Sequence, residues 1–223
     1  MSSAKGKFLR LIGAAFLRRA NVTAADDVGA FRLLVLGGDA PKPNAGAKLQ
    51  LLLPSDDVRT YTPIATPVGV ALLGWKHAGG PGARWLTEVR VGTEILFAGP
   101  QRSLELAAGP VIVVGDETSV GVAASFEAER PGQVRAVFQA NVLDDVKAAA
   151  ARVGLGRVAV VPRGDVTATA DAIAQARTEA PGAVVALTGG SELVIAVRTA
   201  LKARGIDGIK TKTYWIPGKT GLD

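Results

Sequence analysis

Arg59-Thr60-Tyr61-Thr62, followed by Pro63, places a guanidinium, an aromatic ring and two hydroxyls in one short stretch. A guanidinium holds phosphate oxygens through paired, charge-assisted hydrogen bonds. An aromatic ring packs on a flat heterocycle, and a hydroxyl hydrogen-bonds a ring heteroatom. Side chains of an extended segment alternate, so Arg59 and Tyr61 share one face and Thr60 and Thr62 the other. Alone, so short a pattern fits any surface strand, and its meaning depends on the elements around it.

Other stretches carry compatible chemistry. His77 precedes a glycine-rich turn, Gly79-Gly80-Pro81-Gly82-Ala83-Arg84-Trp85, which enters a short helix or strand. Backbone N–H groups in such a turn can cradle a phosphate. Arg84 suits a phosphate or solvent, and Trp85 suits packing. Gly115-Asp116-Glu117-Thr118 follows an apolar run but lacks the G-x-G-x-x-G glycines of a standard dinucleotide loop. Its acids also complement the dipole of a helix expected from about Ser119. Thr188-Gly189-Gly190-Ser191 allows close backbone approach, with Ser191 as a helix N-cap.

Composition narrows the chemistry. The 223 residues include no cysteine and one histidine, which excludes disulfides, thiol catalysis, thiolate metal sites and a multi-histidine metal centre. Redox chemistry would need an organic cofactor. The net charge of +6 is concentrated at the start: Lys5, Lys7, Arg10, Arg18 and Arg19 stand among the first 20 residues without an acid, which leaves +1 for the other 203. A broad nucleic-acid surface is not expected. No run is long enough to span a membrane, and Phe8–Leu17 ends in Arg18-Arg19 rather than a small-residue cleavage site. A cytoplasmic protein is expected. Residues 5–19 fit a basic amphipathic helix that docks on the protein itself or makes weak contact with an anionic membrane surface.

The pattern from Asn21 to Gln101 is β, with strands expected at Phe31–Leu36, Lys48–Leu53, Arg59–Ile64, Val68–Trp75, Trp85–Arg90 and Glu94–Phe97. Short strands punctuated by Gly, Pro and Asp predict a six-stranded antiparallel Greek-key barrel. Gly99-Pro100 marks the expected boundary. Beyond it, strands at Val111–Gly115, Val134–Phe138, Val158–Val161, Ala183–Leu187 and Ile209–Ile216 alternate with helices at about 119–130, 143–152, 168–179 and 191–204. That alternation predicts a parallel, doubly wound sheet with ligands at the carboxyl ends of its strands. The predicted divisions are 1–20, 21–105 and 106–223.

Taken together, the motifs are similar to those of a known group. Arg59-Thr60-Tyr61-Thr62 resembles the R-x-Y-S/T flavin signature of the ferredoxin–NADP reductase superfamily. More closely, over residues 22–219, the chain resembles the siderophore-interacting protein family of FAD-dependent ferric-siderophore reductases. The likeness lies in Arg59–Pro63, His77–Trp85, Gly99-Pro100, Gly115–Thr118 and Tyr214-Trp215-Ile216-Pro217-Gly218-Lys219. It implies an N-terminal FAD-binding barrel and a C-terminal NAD(P)H-binding domain, without a catalytic acid or base. It implies that Arg59 meets the FAD diphosphate, that Tyr61 packs on the flavin ring, and that Thr62 and Thr118 lie beside it. Thr60, His77, Gly79, Gly80, Ala83, Arg84, Trp85, Asp116 and Glu117 join the FAD set. Arg163 would meet a 2′-phosphate if the donor is NADPH rather than NADH, with Thr188, Gly189, Gly190 and Ser191 near the nicotinamide nucleotide. Lys48, Lys212, Trp215 and Lys219 would face an anionic ferric siderophore. A monomer is expected. Two departures stand out: Gly190 replaces an acid, with Glu192 two positions on, and Gly99-Pro100-Gln101-Arg102-Ser103 replaces Gly-Pro-Arg-Gly. Alternatives are a flavin reductase with another acceptor and a non-catalytic FAD- or siderophore-binding protein.

Overall fold

The computed structural model describes residues 17–38, 40, 42–77 and 79–219. The chain divides into two compact units between Ser103 and Leu104.

The first unit is antiparallel. Its strands are β1 (Arg18–Val28), β2 (Phe31–Gly37), β3 (Lys48–Leu52), β4 (Val58–Tyr61), β5 (Pro63–Thr66), β6 (Gly69–Trp75) and β7 (Glu94–Gln101), with one helix, α1 (Pro81–Glu88). The sheet order is β4-β3-β7-β1-β2-β6-β5. Its two edges, β4 and β5, are separated in sequence by Thr62 alone. The sheet must therefore curl until its two ends meet at Thr62. Counted as one strand broken at Thr62, β4 and β5 make this the expected six-stranded barrel. Leu49, Leu51, Leu53, Leu34, Leu36, Leu72 and Phe97 fill the interior.

Several local expectations change. Arg18 to Ala20 belong to β1, where they pair with Phe97 to Ile95 of β7, so a helix over 5–19 cannot include its last residues. Ala20 and Val22 are buried while Arg18, Arg19 and Asn21 are exposed, and this alternation lets β1 close the barrel. The rest of that helix lies outside the described residues. Trp85–Arg90 is no strand. Pro81 opens α1, and Gly82, Ala83, Trp85, Leu86 and then Val89 turn inward at helical rather than alternate spacing. Gly99-Pro100 lies inside β7, not at a boundary. Gly99 has φ +110°, and a Cβ there would stand 2.8 Å from the Lys48 carbonyl oxygen, so glycine lets β7 bend against β3.

Arg32 of β2, 7% exposed, donates to Asp27 Oδ2 at 2.7 Å and to the Val89 carbonyl at 2.9 Å. Lys76 Nζ donates to Asp27 Oδ1 at 2.6 Å. The Lys76 bond, with help from Arg32, holds the Asp27 carboxyl below the usual carboxylate range.

The second unit is parallel. Strands β8 (Val111–Gly115), β9 (Val134–Ala140), β10 (Val158–Pro162), β11 (Val184–Gly190) and β12 (Lys210–Trp215) alternate with α2 (Val120–Glu129), α3 (Leu143–Arg152), α4 (Val166–Glu179) and α5 (Ser191–Ala203). The order β10-β9-β8-β11-β12 reverses between β8 and β11. β8 is buried along its whole length, as a central parallel strand covered on both faces must be. α2 packs against α3, and α4 against α5. Arg130, after α2, donates to the carbonyls of Leu106, Ala107 and Gly109 and pins the entry segment.

Two outcomes follow from these contacts. A Cβ at Gly115 would lie 2.5 Å from Ser119 Cβ and 2.9 Å from the Thr188 carbonyl oxygen. Gly115→Ala should lower the free energy of urea unfolding by about 1–3 kcal/mol. Asp27 has a depressed folded-state pKa, so its contribution is present at neutral pH and is lost as pH falls through that pKa. Asp27→Asn should flatten the acid limb of a stability–pH profile.

Candidate functional site

In the first unit the chemistry gathers around the N-terminus of α1. Arg59 and Tyr61 lie two residues apart on β4, opposite Leu51 and Leu49 of β3. Both reach the same point: a Cβ on Gly82 would stand 3.3 Å from Tyr61 Oη and 3.4 Å from Arg59 Cγ. A Cβ at 82 would therefore be tight, and the Tyr61 hydroxyl and Arg59 stem would have to give by a few tenths of an ångström. Arg59 is loosely held within the chain. Its Nη1 donates to the Val58 carbonyl at 2.7 Å, Nη2 is 3.7 Å from Asp57 Oδ1, and the side chain is 27% exposed. The Tyr61 ring packs 5.9 Å from Trp85 at 51°. Burial pushes its phenol pKa well up, against a smaller opposing effect of Arg59, so Tyr61 stays a neutral donor at ordinary pH.

α1 presents an uncapped start. Gly80 at its N-cap supplies no side-chain hydrogen bond, and no acid lies in its first turn. Its amide dipoles therefore leave positive partial charge there. His77 is exposed, with its ring 5.2 Å from Trp75 and an edge beside Gly80. Gly79 has φ +89° and makes the turn into the helix. Ala83 and Trp85 are buried, whereas Arg84 is exposed. Thr60 is exposed, and Thr62 is half-buried at the break between β4 and β5. A partly exposed cation, an uncapped helix start and a tyrosine fixed by its neighbours form a donor set that fits a diphosphate attached to a flat ring.

In the second unit the focus is the reversal point between β8 and β11, where open parallel sheets form a crevice at the strand ends. Asp116, directly after β8, is fully buried. Its Oδ1 accepts from the Thr118 N–H at 2.9 Å and from the Thr118 hydroxyl. Its Oδ2 accepts from the Gly190 N–H at 2.8 Å and from Trp215 Nε1–H at 2.9 Å. One carboxylate thus ties the ends of β8, β11 and β12 and caps α5. Both glycines are required for this. Gly189 has φ +98° and a Cβ position 2.6 Å from Asp116 Oδ2, and a Cβ on Gly190 would lie 2.5 Å from Trp215 Cζ2.

Glu117, 4% exposed, accepts from the Asn141 N–H at 3.2 Å and pairs with Arg163. It links the ends of β8, β9 and β10. Thr188 is fully buried, and its hydroxyl donates to Ser119 Oγ at 2.8 Å or to the Val114 carbonyl at 3.1 Å.

The expected residues therefore separate into two kinds. Arg59, Tyr61, Gly80, Ala83 and Trp85 converge around Gly82, with His77 beside the turn. Asp116, Thr188 and Gly189 face inward and brace the strand ends, and Arg163 is engaged by Glu117. Ser191 is the first residue of α5 rather than its N-cap. Gly190 takes the cap position, and the Asp116 carboxylate supplies the capping bond from another strand. Lys48 lies on β3, Lys212 on β12 and Lys219 in the turn beyond β12. Sequence reasoning missed the part played by the Ser119 hydroxyl, and the serine's place shortly after the acidic pair was the available signal. Among the described residues no cluster of three or more His, Asp or Glu could hold a metal ion, and no helix is long and apolar enough to cross a membrane.

No protein-family model matches the chain, and no curated protein is similar enough in sequence to match it. Solved structures do share its fold. A siderophore utilization protein from T. fusca is 19% identical, with 93% of this chain and 95% of that chain covered at a TM-score of 0.66. The siderophore-interacting protein SipS from Aeromonas hydrophila is 22% identical, with 92% and 93% covered at 0.68. A ferredoxin NADP+ reductase from Neisseria gonorrhoeae, solved with bound FAD and NADP, is 12% identical, with 89% and 99% covered at 0.67. The chain thus has the two-domain fold of these proteins, an antiparallel barrel followed by a parallel five-stranded sheet.

Removing the Asp116 carboxylate leaves buried N–H groups without an acceptor, each costing about 1–3 kcal/mol. Asp116→Ala should show a large loss of stability in urea unfolding. Asp116→Asn, which keeps an acceptor oxygen, should lose less.

Proposed function

We propose that the chain is an FAD-dependent reductase that takes electrons from NADPH or NADH and passes them to a ferric siderophore, releasing Fe(II). The observation that carries the flavin part is the convergence of Arg59 and Tyr61 on Gly82 at the uncapped start of α1. When bound, FAD supplies the conversion of a two-electron hydride donor into single electrons for the ferric ion.

The chain's own residues bind and orient. Arg59 pairs with the diphosphate, and the Gly82 and Ala83 amides at the start of α1 add dipolar stabilisation. Tyr61, held by Trp85, offers its ring to the flavin, and Thr62 offers a hydroxyl where the strand breaks. Thr118 stands half-buried after β8, at the carboxyl end of the parallel sheet, where the nicotinamide nucleotide is proposed to bind. No side chain is needed to move a proton, which suits a chain with one histidine and no cysteine. Arg163 remains a candidate for the 2′-phosphate of NADPH, and Glu117 would then share it. Lys48, Lys212 and Lys219 are candidates for an anionic siderophore. The names of the two siderophore-related proteins of like fold support that acceptor.

Purified protein should be yellow or bind FAD on addition, and anaerobic NADPH or NADH should bleach it. Ferric siderophore added to that mixture should yield Fe(II), trapped by a ferrous chelator, above the rate without protein. Bleaching without Fe(II) would move the assignment to a reductase of another acceptor. Arg59→Ala should weaken FAD binding roughly 10–100-fold, the value of a charged hydrogen bond. Undiminished FAD content in that variant would remove Arg59 from the diphosphate site.

A further inference from the structure

Glu117 and Arg163 form an ion pair at the carboxyl end of the parallel sheet, where β8, β9 and β10 lie side by side. Glu117 is 4% exposed; one carboxylate oxygen accepts from the Asn141 N–H at 3.2 Å and the other pairs with the guanidinium. A buried carboxylate deprived of its partner charge is strongly destabilised. The Arg163 side chain, 28% exposed, is within reach of a ligand, but its charge is already matched.

The segment that carries Arg163 is fixed as well. The Arg163 N–H donates to the Ala140 carbonyl at 2.9 Å. The buried Gln139 accepts from the Gly164 N–H at 3.0 Å through Oε1 and donates through Nε2 to Thr169 Oγ1 at 2.8 Å. The Thr169 hydroxyl in turn donates to the Asp165 carbonyl at 2.6 Å. The backbone on both sides of Arg163 is thus held, which keeps its guanidinium within reach of Glu117. The helix starts beside it are already supplied with acids. Asp144 and Asp145 lie in the first turn of α3, and Asp165 caps α4 by accepting from the Ala168 N–H at 2.9 Å. Lys147 is engaged by Asp144 at 3.0 Å. Little positive potential is left there for a further anion.

We propose that the second unit selects NADH over NADPH, and that Glu117 is the residue that sets this choice by occupying Arg163. This rests on the nicotinamide reading above and names which of the two donors that site takes. A 2′-phosphate carries nearly two negative charges at neutral pH. At Arg163 it meets a guanidinium already paired, beside a buried carboxylate. The 2′-hydroxyl of NADH is uncharged and meets no such penalty.

Calorimetry on the full chain supplied with FAD reads the choice without turnover when the oxidised nucleotides are used. NAD+ should bind about three- to tenfold more tightly than NADP+, the scale of one like-charge contact near a surface. Glu117→Gln keeps an acceptor for the Asn141 N–H and frees the guanidinium. It should tighten NADP+ binding roughly tenfold, the lower end of the worth of a charged hydrogen bond, and leave NAD+ within about twofold. Adding Arg163→Gln to that variant should remove the gain.

NADP+ bound as tightly as NAD+ by the wild type, or more tightly, would overturn the proposal. So would a Glu117→Gln variant with an unchanged ratio of the two affinities, or a gain that survives Arg163→Gln. Should glutamine at 117 prevent folding, Arg163→Gln alone carries the test. It leaves Glu117 uncompensated and should weaken NADP+ binding about threefold or more beyond any change for NAD+. Equal effects on the two nucleotides would overturn the pair as the selectivity device. Each of these outcomes leaves the nicotinamide reading standing, whereas no binding of either nucleotide would overturn that reading as well.

Discussion

Asp116 carries its carboxylate where no solvent reaches, and such a group persists only if hydrogen-bond donors satisfy it. Four donors do so: the Thr118 amide and hydroxyl, the Gly190 amide and the Trp215 indole. The requirement propagates through the second unit. The turn after β8 must tighten so that Thr118 points back. β11 must end in two glycines so that its backbone can approach, and β12 must deliver an indole of the right reach. The acidic pair that stands where a dinucleotide loop would have glycines is therefore an organising centre. Asp116 gathers β8, β11 and β12, while Glu117 gathers β8, β9 and β10 through Asn141 and Arg163.

A different constraint governs the first unit. β4 and β5 occupy opposite edges of one sheet but are joined through Thr62, so closure of the barrel is a matter of chain connectivity. The same closure fixes β4 beside α1, which brings Arg59 and Tyr61 against Gly82. The small residue at 82, the turn at Gly79-Gly80 and the proline that opens α1 then act as one unit. They bring a helix start against the aliphatic stem of Arg59 without a side chain between them.

Much of the architecture was legible because its signals are local. The apolar run Val111–Val114 and the spacing of helices after it require a buried parallel sheet, and the observed elements begin and end within a few residues of expectation. Leu49, Leu51 and Leu53 reveal an inward strand face in the same way. β1 was not legible, since only Ala20 and Val22 mark its buried face and no large apolar residue does. Trp85 to Arg90 misled because a tryptophan and a leucine suit a strand as well as a helix, and only the packing of Ala83, Leu86 and Val89 distinguishes them.

The sequence alone determined that thiol and multi-histidine chemistry are absent, that Arg59 and Tyr61 share a face, and that a barrel precedes a parallel sheet. These follow from residue counts and from periods of two and 3.6, which any neighbouring residues reveal. Only the tertiary structure decided which of the expected ligand residues brace the strand ends. Asp116 is satisfied by groups 74 and 99 residues away, and Glu117 by groups 24 and 46 residues away. A carboxylate in a sequence carries no mark of such partners. Whether it binds a ligand or holds strands together depends on donors that arrive only when the sheet assembles.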